Sequence, residues 1–139
     1  MRVTLSGDAL RVAGLVEEET DVTVRDCLVD DDRVVVLVGA GEMGKAIGPG
    51  GEHVQRIERR LGSQVTVVED ADRPEAFVAN TLVPAAVYNV TISEGKETVA
   101  YAEVDENDRG VAIGANGQNI ETARSLAKRH HEIDDIELA

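Results

Sequence analysis

Eleven residues recur half a chain apart. Gly44-Lys45-Ala46-Ile47-Gly48-Pro49-Gly50-Gly51-Glu52-His53-Val54 aligns with Gly110-Val111-Ala112-Ile113-Gly114-Ala115-Asn116-Gly117-Gln118-Asn119-Ile120, at an offset of 66 positions. The shared pattern is G-x-A-I-G-x-x-G-x-x-[VI]. In a chain of 139 residues, that offset describes two copies of one unit better than one continuous fold. Each copy alone is small enough to be marginally stable. The polar stretch Asp70 to Arg73 is the natural boundary, giving expected modules at residues 1–71 and 72–139.

Hydrophobic spacing gives both halves the same order of elements. Leu5, Ala9, Val12, Ala13 and Val16 mark one face of a helix with Ser6 as its N-cap. Val22 to Val29 and Arg33 to Val38 are valine-rich strands joined by Asp30-Asp31-Asp32. After the glycine segment, Val54, Ile57 and Leu61 line a helix that Gly62 stops, and Val65 to Val68 is a strand. The second half opens with Pro74 in a first helical turn and a helix closed by Pro84. Tyr88, Val90 and Ile92 alternate along a strand, Ser93 to Lys96 turns, and Thr98 to Val104 returns. A short helix near Asn107 to Ile113, a longer one with Ile120, Ala123 and Ala127 inward, and a segment from Ile133 to Leu138 complete it. The expected class is α+β, each module running α-β-β-α-α-β with a three-stranded sheet on helices.

Composition narrows the function. At 42% hydrophobic and 29% charged the chain can build a core. No run approaches the 18 apolar residues of a membrane span, and Met1-Arg2-Val3-Thr4 has no apolar leader, so an intracellular, cytoplasmic protein is expected. Cys27 stands alone, which excludes a disulfide framework and a cysteine zinc site. The net charge is −13, with three lysines. Such self-repulsion is tolerable near 1 M salt, where the Debye length falls to about 3 Å, so the chain reads as salt-adapted. An ordinary acidic protein has the same composition.

The acids are not spread evenly. Residues 44–60 hold Lys45, Arg56, Arg59 and Arg60 against Glu52 and Glu58, a net of +2. Residues 109–131 hold Arg109, Arg124, Lys128 and Arg129 against Glu121, a net of +3. The positive segments are those that carry the repeat. In each, Gly-x-x-Gly joins two helices, glycine lets a ligand approach the backbone, and the next helix offers N–H groups to an anion such as a sugar-phosphate backbone. A plain connector between helices needs the same glycines.

Other chemistry finds little support. Gly39-Ala40-Gly41-Glu42-Met43-Gly44 is a formal dinucleotide fingerprint after a strand, with Glu69 as a ribose-binding acid. Its crossover helix would be broken by Gly48 to Gly51, and Asp105 to Gly110 lacks the matching glycines. His53, His130 and His131 have no metal-ligand spacing with Cys27, and no nucleophile motif occurs. His130 and His131 suit a helix C-terminus, and His53 is near enough to the first loop to meet a phosphate or simply to be solvated. No enzyme, cofactor or metal is expected.

The residues quoted resemble the KH RNA-binding module. I-G-x-x-G before an amphipathic helix is its signature, and α-β-β-α-α-β is its prokaryotic, type II order. Two such modules in tandem look like the archaeal NusA-like transcription termination factors. That resemblance implies single-stranded RNA held by loops that clamp about four nucleotides each, with RNA polymerase as a further partner. By position the clamps are Gly48, Pro49, Gly50, Gly51 and Gly114, Ala115, Asn116, Gly117. Ile47, Val54, Ile113 and Ile120 become candidates for a groove floor under the bases, though core packing alone also explains them. Lys45, Arg56, Arg124 and Lys128 are candidates for phosphate, and Gln118 and Asn119 for base edges.

The variable loop positions lack the lysine or arginine that KH loops often carry, so each clamp has to use backbone N–H groups. Few aromatics leave little stacking, which contributes about 1–3 kcal/mol per base elsewhere. Within the same fold, ribosome assembly or RNA processing is an alternative role, and a protein-interaction scaffold without RNA is another.

Overall fold

The computed structural model describes residues 6–30 and 33–139. The readings placed on Met1 to Leu5, Asp31 and Asp32 lie outside them. Two compact units emerge, Arg2–Asp70 and Ala71–Ala139.

In the first unit, helix α1 spans Gly7–Thr20. Ser6 caps it as expected, its Oγ accepting from the Ala9 N–H at 3.1 Å. Strands β1 (Val24–Val29) and β2 (Arg33–Val38) pair antiparallel. A short helix α2 (Met43–Ile47) leads through the glycine loop into α3 (Glu52–Leu61), which returns the chain to β3 (Gln64–Glu69). β3 pairs parallel with β2, so β2 is central and buried along its whole length. That burial explains its unbroken apolar sequence, Val34 to Val38. Ala9, Val12 and Val16 of α1 meet Val34, Val36 and Val38 of β2 and Ile57 of α3 in one core. Gly62 stops α3 in a left-handed turn, its N–H donating to the Glu58 carbonyl at 2.8 Å. Cys27 is buried in β1 as a small hydrophobe.

The second unit repeats this order. Helix α4 covers Pro74–Thr81, with Pro74 in its first turn. Strands β4 (Val87–Glu94) and β5 (Thr98–Val104) are antiparallel, and β6 (Asp135–Leu138) joins β5 in parallel. Helices α5 (Arg109–Ile113) and α6 (Gln118–His131) flank the second glycine loop. Phe77, Leu126, Ile133 and Ile136 are fully buried between these elements. His130 and His131 lie against Phe77, at ring-centroid separations of 5.7 and 4.6 Å, and Nε2 of His131 donates to the Ala71 carbonyl at 3.0 Å.

Boundaries differ where local signals competed. β4 continues through Ser93 and Glu94, read as turn from their polarity, because Glu94 pairs with Thr98 and the reversal is confined to three residues. A bulge between Val87 and Asn89 breaks the alternation that grouped Tyr88 with Val90 and Ile92, leaving Tyr88 65% exposed. Helix α4 ends at Thr81, before the proline that was expected to end it. β6 begins at Asp135 because Ile133 is core and Asp134 closes the turn to β5, its N–H on the Thr98 carbonyl.

Ile57 is 1% exposed and is the residue of α3 buried in the first core. Ile57→Ala should cost about 2–4 kcal/mol of unfolding free energy, read from guanidinium titration in molar salt.

Candidate nucleic-acid interface

The two glycine loops follow the same backbone path. Gly48 has φ 77°, ψ 169° and Gly114 has φ 79°, ψ 171°. At the third loop position Gly50 has φ 62°, ψ 18° and Asn116 has φ 56°, ψ 23°. The first pair occupies a region open essentially to glycine alone, whereas the second occupies the left-handed region that asparagine tolerates. This is why one position is glycine in both copies and the other is not.

A brace fixes each loop from inside. Nδ1 of His53 donates to the Lys45 carbonyl at 2.7 Å, and the Asn119 side-chain amide donates to the Val111 carbonyl at 2.7 Å. These are matching positions in the two copies. The His53 ring and the Asn119 amide lie so close to Gly48 and Gly114 that a Cβ there would meet them at 2.5 and 2.6 Å. Sequence reasoning gave Asn119 to base edges and allowed His53 a phosphate. In the fold, Nδ1 of His53 and Nδ2 of Asn119 hold the preceding helix to the loop.

Pro49, Gly50, Ala115 and Asn116 at the loop tips are exposed. Fewer amides face outward than the sequence implied. The N–H groups of Gly48, Gly51 and Glu52 bond to the carbonyls of Gly44, Gly48 and Pro49, and the second loop repeats this with Gly114, Gly117 and Gln118. Pro49 has no N–H, so Gly50 supplies the amide outside these turns in the first loop, and Ala115 and Asn116 supply two in the second.

Beside the first loop lies a groove of about 320 Å³ whose walls include Ile47, Gly51, Val54, Val65 and Val67. Ile47 and Val54 line this groove, which runs between α3 and the edge strand β3. In the second unit Ile113 is 39% exposed, but Ile120 is 6% exposed and belongs to the core.

The candidate cations are mostly engaged. Arg56 and Arg60 reach Glu19 of α1 at 3.3 and 2.7 Å. Lys45 is 4.0 Å from Glu42. Arg124 contacts Glu121 at 2.6 Å and Asp135 at 2.8 Å. Lys128 bonds to Asp134 and stands eleven residues past Gly117, about 16 Å along the helix. Counting charge along the sequence missed these partners, because Glu19, Asp134 and Asp135 lie outside the positive segments. The Arg60 hydrogen bond, aided by Arg56, holds the Glu19 carboxyl below its ordinary range against the opposing effect of desolvation. Glu69, the candidate ribose acid, accepts from the Gly41 N–H at 3.3 Å, and α2 stops after five residues, so no dinucleotide crossover forms. No group of three metal-ligating side chains occurs among the described residues. No helix among them is long and apolar enough to cross a membrane.

Comparison with known proteins adds to this geometry. The KH domain family matches residues 12–88, and the NusA-like second KH domain family matches residues 74–139. A Halococcus morrhuae protein named "Probable transcription termination protein NusA" is 61% identical over 139 residues, covering 100% of both chains. A Halobacterium salinarum protein of the same name is 60% identical over 138 residues, covering 99% of each. The crystal structure of APE1850 superimposes with a TM-score of 0.81 at 28% identity, covering 97% of this chain and 100% of that one.

Gly48→Ala and Gly114→Ala should each destabilise by about 1–3 kcal/mol, whereas Gly50→Asn should change stability by less than about 1 kcal/mol, in guanidinium titrations. Glu19 supplies a pH test. Its carboxyl is lowered in the fold, so its contribution is present above the ordinary glutamate range near pH ~4.3 and is lost as pH falls through the folded value. Glu19→Gln should therefore flatten the acid limb of stability against pH, most visibly at low salt.

Proposed function

The chain belongs to the NusA-like family of tandem KH proteins, and from that premise we propose that it binds single-stranded RNA in transcription termination or antitermination. The loops Gly48–Gly51 and Gly114–Gly117 approach the sugar-phosphate backbone, which glycine permits by leaving no Cβ in the way. Bases lie over the apolar groove formed by Ile47, Val54, Val65 and Val67. RNA polymerase is the protein partner and the cytoplasm the site of action. The observation that carries this function is the pair of exposed loops with one backbone path.

The loop amides and the groove suit a salt-rich medium. Contacts to phosphate through cations weaken steeply with salt, by orders of magnitude for several phosphates between about 50 and 200 mM. Hydrogen bonds from fixed amides and apolar contact with bases are screened far less.

Replacing Pro49-Gly50 and Ala115-Asn116 by Asp-Asp puts two carboxylates at each exposed tip. Fluorescence anisotropy with a labelled mixed-sequence RNA in molar KCl should show each replacement weakening binding about tenfold, equivalent to about 1.4 kcal/mol. Affinity unchanged by both would remove RNA from the function and leave a protein scaffold. Copurification of RNA polymerase subunits supports termination, and copurification of ribosomal particles would overturn it in favour of ribosome assembly.

A further inference from the structure

The repeat makes the two helix–strand gaps comparable position by position. Val65 pairs with Val34 and Ile136 pairs with Ala100, and Val34 and Ala100 stand 66 positions apart, as Gly48 and Gly114 do. In the first unit Glu58 spans the gap by accepting from the Val65 N–H at 2.9 Å. Its counterpart Arg124 spans the second gap by donating to the Ile136 carbonyl from Nη2 at 3.1 Å. One position thus staples the helix to the edge strand in both units, with opposite charge.

What surrounds the staple differs. Beyond Gln55 and Glu58 the first groove opens into a second hollow of about 490 Å³, walled also by Arg59, Gly62 and Gln64. The two hollows share Gln55 and Glu58 as walls, so they adjoin along α3 and together trace a path from the loop. Gln55, Arg59 and Gln64 are exposed and form no hydrogen bond or ion pair with other described side chains. The counterparts of these three are Glu121, Ser125 and Asp135. Glu121 and Asp135 face Arg124 from either side, at 2.6 and 2.8 Å, so a guanidinium fills the second gap between two carboxylates. A phosphate or base edge entering there would have to displace that cluster, and the acids repel it.

Resting on the RNA-binding function proposed above, we infer that the first unit alone takes the bases of the strand. Its track runs from Gly51 past Gln55 to Arg59, whose guanidinium receives a phosphate beyond the loop. Gln55 presents both a donor and an acceptor to a base edge. The second unit contributes its loop and no groove. The sequence alone does not single out Gln55, and it counts Arg59 only within the positive segment 44–60.

The test exchanges the residues. A mixed-sequence RNA of about ten nucleotides, labelled with fluorescein, is titrated into the full chain across a series of KCl concentrations. Gln55→Glu with Arg59→Ser, which gives α3 the residues of α6, should weaken binding about tenfold and reduce the slope of log K against log salt by about 0.7, the value for one phosphate contact on a single strand. Arg59→Lys should retain that slope. Glu121→Gln with Ser125→Arg should leave both affinity and slope within about twofold of the parent. All four substituted positions are exposed, and circular dichroism melts check the fold. If the Asp-Asp loop replacements abolish binding while Gln55→Glu with Arg59→Ser does nothing, RNA binding stands and the one-sided track is overturned. If none of these variants affects binding, the function itself falls. Photo-crosslinked bases should map to residues 47–67, and crosslinks to residues 118–138 would also overturn the inference.

Discussion

Two missing Cβ atoms hold this structure together at its functional end. Gly48 and Gly114 adopt a backbone conformation that a side chain would forbid, and each has a polar group packed where that side chain would stand. The brace from His53 or Asn119 then reaches over the glycine to a carbonyl of the preceding helix. A histidine and an asparagine do the same work because each presents a donor at similar reach from the backbone. The repeat keeps the geometry without keeping the residue.

Charge follows a different logic. The sequence holds two positive segments in an acidic chain, which suggests cationic islands. Folding brings Glu19 to Arg56 and Arg60, and Asp134 to Lys128, so the islands are largely neutralised before any ligand arrives. Exposed pairs of this kind add little to stability, and less in concentrated salt. Their consequence is selective: they remove most long-range attraction for polyanions and leave Arg59 as an exposed cation in the groove region. A chain of net −13 whose basic segments are paired in this way offers a polyanion little diffuse positive field.

The element order was readable because apolar spacing switches cleanly between strand and helix periods on either side of unmistakable glycines. β2 was legible to the residue, since Val34 to Val38 is bounded by charge on one side and glycine on the other. β4 was not, because Ser93 and Glu94 are turn-forming residues that cross-strand pairing keeps extended. The shared backbone path of the loops and the position of Ile47 and Val54 beside the groove follow the repeat itself. The braces were hidden because His53 and Asn119 are polar residues just inside a helix, where a contact with ligand and a contact with backbone look alike in sequence. The partners of the cations were hidden for a simpler reason. Glu19 is 37 residues from Arg56, and no periodicity links an acid on one helix to a base on another.

The staple positions show how far a duplicated fold can diverge while keeping its frame. Glu58 accepts from a strand N–H and Arg124 donates to a strand carbonyl, so either charge can bridge the same gap by using opposite ends of the peptide unit. The choice then constrains the neighbours. An acid at this position spends itself on one amide and leaves the adjoining Gln55 and Arg59 unopposed. A guanidinium has donors to spare after reaching the carbonyl, and it draws Glu121 and Asp135 onto itself. One reversal of charge at a structural contact thus converts an open track into a closed one while the sheet order, the loop and the core stay the same.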